Sequence, residues 1–203
     1  MIITIDGLPA AGKTSLTKIL AKELKVSPYH VGTGVLDNLW QNWNETIVPL
    51  SPIMDDGMPK FLWSIGLWHV FQTQKLDSVV CDEFWYRLFE MTRRANMSGP
   101  IEQWHKFYDI MMNALEYIDV IPTCSFYIEI TPQESYERAI KREEDRGRKP
   151  NHAMWKRKER PDDLFMFWNW LKTKFRDLHI INGMRPQEKV ADEMFNILLK
   201  KYL

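Results

Sequence analysis

A nine-residue stretch near the amino terminus, GLPAAGKTS, has the residue types and the spacing of a phosphate-binding loop. It fits the pattern G-x-x-x-x-G-K-[ST], whose fixed positions are filled by Gly7, Gly12, Lys13 and Thr14. A β-branched run precedes it and a helical pattern follows it, so backbone N–H groups and a helix N-terminus would surround an anion. We therefore predict that a nucleotide is bound by the loop residues Gly7, Pro9, Ala10, Ala11, Gly12, Lys13, Thr14 and Ser15.

Within this loop the side chains of Lys13 and Thr14 have separate predicted roles. The Lys13 ammonium would contact the β- and γ-phosphates, and the Thr14 hydroxyl would bind Mg²⁺. Lys13 is accordingly one of the predicted catalytic residues.

Two carboxylates, Asp82 and Glu83, end the apolar run that begins at Ser78. Such a run is typical of a central parallel strand, and open α/β sheets bind ligands at the carboxyl ends of their strands. We predict that Asp82 is catalytic and holds Mg²⁺ directly or through water; the alternative is a carboxylate that caps the next helix. Glu83 is predicted to contact the substrate, and either carboxylate is a candidate base.

A basic segment follows the predicted helix that starts at the capping box Thr131–Glu134. From residue 138 to residue 160 ten basic and four acidic residues leave a local net charge of +6. Cations on a closing lid would stabilise the charge of a transferring phosphoryl group, so Arg142, Arg146 and Arg148 are predicted catalytic residues on a lid over about residues 143–160. The alternative is an ordinary solvated charged face.

Strands alternate with helices along the whole chain, which predicts one α/β domain over residues 1–203. The expected fold is a five-stranded parallel sheet with helices on both faces. The chain is 203 residues long with a formal net charge of zero and a pI near 7.0, so nothing global indicates a nucleic-acid or membrane partner. No 18-residue apolar run or leader-like start is evident, so we expect a cytoplasmic protein. The sequence leaves open whether the protein forms a homodimer.

Taken together, these segments resemble the nucleoside and nucleotide monophosphate kinases. The opening Ile-Thr-Ile-Asp-Gly with its P-loop is similar to the start of cytidylate and thymidylate kinases, and the block from Phe61 to Met91 is similar to a thymidylate kinase segment. The run from Thr131 to Arg148 is similar to the arginine-rich lid of deoxynucleoside kinases. This resemblance implies a three-layer P-loop kinase fold with ATP and Mg²⁺ as cofactors.

The resemblance also implies roles for residues outside the P-loop. Asn182 falls where such kinases place a loop beside the adenine ring. Trp63, Trp85 and Arg87 are implied contacts of the acceptor's base and phosphate, with core packing as the alternative for the tryptophans.

Two departures from the family pattern bear on the acceptor. Glu83 stands where a thymidylate kinase has an arginine, and Thr33 stands roughly where deoxynucleoside kinases have a glutamate that takes the proton of a 5′-hydroxyl. A phosphate oxygen needs no base, so the missing glutamate favours a monophosphate acceptor of the thymidylate type. The alternatives are a nucleoside kinase, a kinase of a hydroxyl on a modified base in DNA, and a non-catalytic nucleotide-binding P-loop module.

Overall fold

The computed structural model describes residues 1–30, 78–85, 109, 112–113, 116, 121–150 and 161–202. In this part of the chain five parallel strands form one sheet in the order β2-β3-β1-β4-β5. The strands are β1 (Ile2–Gly7), β2 (Ser27–His30), β3 (Val79–Asp82), β4 (Cys124–Glu129) and β5 (Leu178–Asn182). The helices are α1 (Lys13–Leu24), α2 (Pro132–Asp145), α3 (Pro161–Lys174) and α4 (Gln187–Lys201). The predicted α/β fold with a parallel sheet is thus confirmed.

Strand β1 lies at the centre of the sheet, between β3 and β4, and all six of its residues are buried. Because successive strand residues point to opposite sides, an unbroken buried run means that both faces of the sheet are covered here. Helices α1 and α4 pack against each other, and the Trp168 ring of α3 lies 4.2 Å from the Tyr127 ring of β4.

The parallel pairing brings the carboxyl ends of the strands to one edge of the sheet. Ile5 of β1 is opposite Asp82 of β3, and Gly7 is opposite Ile128 of β4. Consequently the P-loop that follows β1 lies between the acidic pair on one side and the start of α2 on the other.

Helix α2 begins as its sequence predicts and ends at a left-handed glycine turn. The Thr131 hydroxyl accepts a hydrogen bond of 3.1 Å from the Glu134 N–H, and Pro132 fills the first helical position. At the other end Gly147 has a φ of 66°, and its N–H donates to the Glu144 carbonyl. This left-handed glycine ends the helix.

Trp85 is fully buried, which favours the core-packing alternative over the predicted contact with the acceptor. Its ring lies 4.9 Å from that of Phe84 and 5.4 Å from that of Phe175. Its indole N–H donates to the Ser125 hydroxyl at 2.7 Å, and the Thr4 hydroxyl donates to the same oxygen at 2.8 Å. A ring with no exposed surface offers nothing for a nucleobase to stack on.

Among the described residues, no helix combines the length and the apolar character that a membrane span requires.

We predict that Trp85→Phe and Ser125→Ala each lower the free energy of unfolding by about 1–3 kcal/mol. Ser125→Ala leaves the indole N–H and the Thr4 hydroxyl without their acceptor, and Trp85→Phe removes one of the two donors to the Ser125 oxygen. Since both substitutions remove the same hydrogen bond, the double variant should be less destabilised than the sum of the two single variants. Urea denaturation of all four proteins measures this. Strict additivity would show that the hydrogen bond contributes nothing.

Candidate phosphate-binding site

The loop between β1 and α1 has the backbone that the P-loop pattern demands. Gly7, Ala10 and Gly12 all have positive φ, at 150°, 60° and 89°. A Cβ on Gly7 would lie 2.7 Å from the Ile128 carbonyl oxygen, so only glycine fits where the loop leaves the sheet. Gly12 is in the left-handed conformation directly before the first turn of α1.

The Lys13 side chain is buried inside this loop, and its ammonium contacts oxygen atoms of the loop and of Glu83. Nζ donates to the carbonyl oxygens of Gly7 at 3.1 Å and of Leu8 at 2.8 Å. It also lies 3.1 Å from Glu83 Oε1. These contacts compensate the burial of the charge and place it at the mouth of the anion site.

Glu83 reaches Lys13 through an unusual backbone conformation, because its φ is 64°. Two hydrogen bonds hold this conformation: Glu83 N–H donates to the Ile5 carbonyl at 2.9 Å, and Phe84 N–H donates to Asp6 Oδ1 at 2.9 Å. Asp6 is buried at the end of β1. A non-glycine residue in the left-handed region costs free energy and persists where its surroundings impose it, so this turn is a mark of a functional site.

Asp82 and Glu83 differ in solvent exposure and in the groups that they contact. The Asp82 residue is 1% exposed and its Oδ2 accepts a short hydrogen bond from the Thr14 hydroxyl, whereas the Glu83 side chain is 19% exposed. Burial raises the pKa of the neighbouring Cys81 thiol, and the nearby Asp6 and Asp82 carboxylates raise it further. Cys81 is therefore a neutral, buried free thiol.

Helix α2 is hydrogen-bonded to the P-loop and to the end of β5. The buried Ser135 hydroxyl donates to the Pro9 carbonyl at 2.7 Å. Arg138 pairs with Glu134 at 2.6 Å and donates to the Gly183 carbonyl at 3.3 Å. Asn182, the predicted adenine neighbour, ends β5 beside this contact, where its side-chain oxygen accepts from Met184 N–H at 2.9 Å.

The three predicted lid arginines lie close together around one carboxylate. Arg142 and Arg146 are 3.6 and 3.7 Å from Glu143 Oε1, and Arg148 is 3.9 Å from Glu143 Oε2. The described chain ends this segment at Pro150, so residues 151–160 of the predicted lid lie outside the described residues.

The structure thus brings together Lys13, Thr14, Asp82 and Glu83. It sets the arginine cluster at the carboxyl end of helix α2, whose Ser135 contacts the same loop. Trp63, Arg87 and Thr33 lie outside the described residues. Sequence reasoning missed Asp6, Ser135 and Glu143. A charged residue closing an apolar strand was the available signal for Asp6; nothing in the pattern distinguishes Ser135 or Glu143 from surface residues.

Comparison with solved structures places this chain among nucleoside kinase folds. It superposes on the deoxyadenosine kinase of M. mycoides solved with bound dCTP, with a TM-score of 0.60, 10% identity and 98% and 100% of the two chains covered. The same enzyme with dCMP and a flexible dCDP gives 0.57 at 12% identity, and with bound dATP 0.56 at 14%, with the same coverage. No protein-family model matches the sequence, and no curated protein shows significant similarity to it.

At such low identity the likeness concerns the fold. The chain shares the fold of these deoxyadenosine kinases over nearly its whole length, which agrees with the fold that the resemblance in its sequence implies.

Proposed function

We propose that this protein is an ATP- and Mg²⁺-dependent kinase that transfers the γ-phosphoryl group to a hydroxyl of a deoxynucleoside. The observation that carries the proposal is the Glu83 carboxylate held 3.1 Å from the P-loop ammonium of Lys13. That ammonium marks where the β- and γ-phosphates bind in a P-loop. Glu83 therefore lies beside the reacting phosphoryl group.

A carboxylate at this position favours a neutral acceptor over a phosphorylated one. Two like charges about 4 Å apart repel by about 4 kcal/mol at an effective dielectric constant of 20, so the phosphate of a monophosphate acceptor is disfavoured near Glu83. A hydroxyl carries no such charge, and it gains from a base that accepts its proton as it attacks. The likeness to deoxyadenosine kinases, which is a likeness of fold, agrees with this choice over the monophosphate acceptor that the sequence favours.

The partly exposed Glu83 is then the base, and the buried Asp82 serves the metal. Thr14 and Asp82 present a hydroxyl and a carboxylate oxygen in contact with each other, and oxygen donors are what Mg²⁺ prefers. In the described residues no group of three or more His, Cys, Asp or Glu side chains could hold a metal. This fits Mg²⁺, which binds through one or two protein groups together with waters and substrate phosphates. When bound, the ion would neutralise charge on the phosphate chain.

The remaining chain residues would position and stabilise the reacting groups. Lys13 would leave its carbonyl partners for phosphate oxygens, and the arginines at and beyond the carboxyl end of α2 would contribute positive charge to the transferring group. Asn182 is proposed to contact the adenine ring from the end of β5.

The direct test is transfer of radiolabelled γ-phosphate from ATP to deoxynucleosides, to their monophosphates and to oligonucleotides. We expect a deoxynucleoside to be the best acceptor and Lys13→Ala to lower turnover about 10²-fold or more, because it removes a preorganised contact with the phosphates. Circular dichroism checks that the variant is folded. Preferential labelling of a monophosphate or of DNA would show that the proposed acceptor is wrong. Binding of ATP without transfer to any acceptor would indicate a non-catalytic module.

Glu83→Gln should lower kcat about 10²–10⁴-fold, since the amide cannot accept the proton of the attacking hydroxyl. In the native enzyme kcat should fall on the acid side of the pH profile as the base is protonated, and in the variant this acid limb should disappear. Glu129→Gln is the matched control, because that exposed carboxylate ends β4 at the same sheet edge. Equal effects of the two substitutions would remove Glu83 from the chemistry.

Asp82→Asn should raise the half-saturating Mg²⁺ concentration about 10–100-fold, because it weakens a group that holds or orients the metal's ligands. Excess Mg²⁺ or Mn²⁺ should restore part of the rate. If no metal concentration restores activity and the acid limb of the pH profile is lost, Asp82 is the base and the two carboxylates exchange their proposed roles.

A further inference from the structure

Three guanidinium groups of the basic segment converge on a single carboxylate, that of Glu143. Its Oε1 lies 3.6 Å from Arg142 Nε and 3.7 Å from Arg146 Nη1, and its Oε2 lies 3.9 Å from Arg148 Nη1. Both oxygens are thus engaged. Planar, multi-donor guanidinium groups around paired anionic oxygens are also how arginines bind phosphate.

Glu143 is the sheltered centre of this cluster. Its side chain is 18% exposed, whereas the three arginine side chains are 40%, 54% and 67% exposed in chain order. The backbone fixes the arrangement, since the N–H groups of Arg146 and Arg148 donate to the Glu143 carbonyl at 3.2 and 2.9 Å. The arginines therefore surround the carboxylate while their outer donors face solvent.

One member of the cluster, Arg142, lies on the helix face that meets the P-loop. Residues four and seven positions after Ser135 share its side of α2, which places Ala139 and Arg142 on the face whose Ser135 hydroxyl bonds to the Pro9 carbonyl. Arg146 is the cap residue of the helix and Arg148 follows the left-handed Gly147, so these two arginines join Arg142 through their contacts with Glu143.

We propose that Glu143 is an internal anion that holds the three arginines until phosphate oxygens of the nucleotide replace it. The inference rests on the proposed kinase function. Separations of 3.6–3.9 Å are longer than the 2.7–2.9 Å of charge-assisted hydrogen bonds, so the pairs are loose and exchange readily. Glu143 offsets part of the mutual repulsion of the three cations, and triphosphate binding must break these existing ion pairs.

The sign of the effect on affinity follows from this competition. An exposed ion pair changes an equilibrium constant by a factor of roughly 1.4–5, and up to three such pairs are exchanged for phosphate contacts. Glu143→Gln removes the competing anion while keeping the size of the side chain. It should therefore lower the Kd of a non-hydrolysable ATP analogue about threefold to tenfold.

Glu144→Gln is the matched control. Glu144 is the next residue of the same helical turn, is exposed and belongs to none of the ion pairs found among the described residues. Both substitutions remove one negative charge from the same region, so their general electrostatic effects are equal. The ratio of the two Kd values isolates what Glu143 does to the arginines.

Isothermal titration of the MgATP analogue into the native protein and both variants, at low ionic strength, measures these constants. We expect tighter binding for Glu143→Gln than for Glu144→Gln, and no difference between them when Arg142, Arg146 and Arg148 are all alanine. Equal Kd values in the native background, weaker binding by Glu143→Gln, or a difference that survives without the arginines would each overturn the inference. Thermal unfolding verifies that the variants are folded.

The proposed function has its own distinguishable failure. If the native protein transfers phosphate to a deoxynucleoside and the two variants bind alike, only the role of Glu143 falls. If the native protein binds no ATP analogue, the kinase function falls and the role of Glu143 falls with it.

Discussion

The buried ammonium of Lys13 is the charge around which the site is arranged. In water this group would be fully hydrated, so its burial requires oxygen partners, and the loop carbonyls of Gly7 and Leu8 and the Glu83 carboxylate provide them. The loop can curl around the ammonium only because Gly7 and Gly12 accept positive φ. The phosphate-binding backbone and the lysine that serves it are thus stabilised by the same contacts.

A second constraint comes from Asp6, which links the P-loop strand to the strand beside it. By accepting the Phe84 N–H, this buried carboxylate supports the left-handed backbone of Glu83, and so directs a carboxylate toward Lys13. Beyond the turn, the indole N–H of Trp85 donates to the Ser125 hydroxyl and so holds the chain that follows Glu83. A strained residue between two rigidly held neighbours is well suited to chemistry that needs a fixed geometry.

Much of this architecture could be read from the sequence because local rules determine it. The P-loop pattern, the capping box at Thr131 and the apolar run before Asp82 depend on nearby residues, and the structure places each as expected. The sequence could not decide between the two alternatives for Trp85, because its hydrogen bond to Ser125 is made by residues 40 positions apart, which no local pattern encodes. The division of roles between Asp82 and Glu83 was undecidable for a similar reason: it depends on the φ of Glu83 and on the contact of Asp82 with Thr14 across the sheet.

The site and the basic segment share one physical device. The cations that we propose to bind phosphate oxygens are paired with carboxylates of the chain: Lys13 with Glu83, and the arginines with Glu143. Such pairing avoids the cost of isolated or mutually repelling charges in the absence of nucleotide. It also means that nucleotide affinity measures an exchange of anions, so part of the attraction of each cation is offset before binding. If so, the two carboxylates differ in what they do once nucleotide is bound. Glu83, released from Lys13, remains beside the reacting group, where an acceptor hydroxyl needs a base. Glu143 is replaced by phosphate oxygens and has no further role.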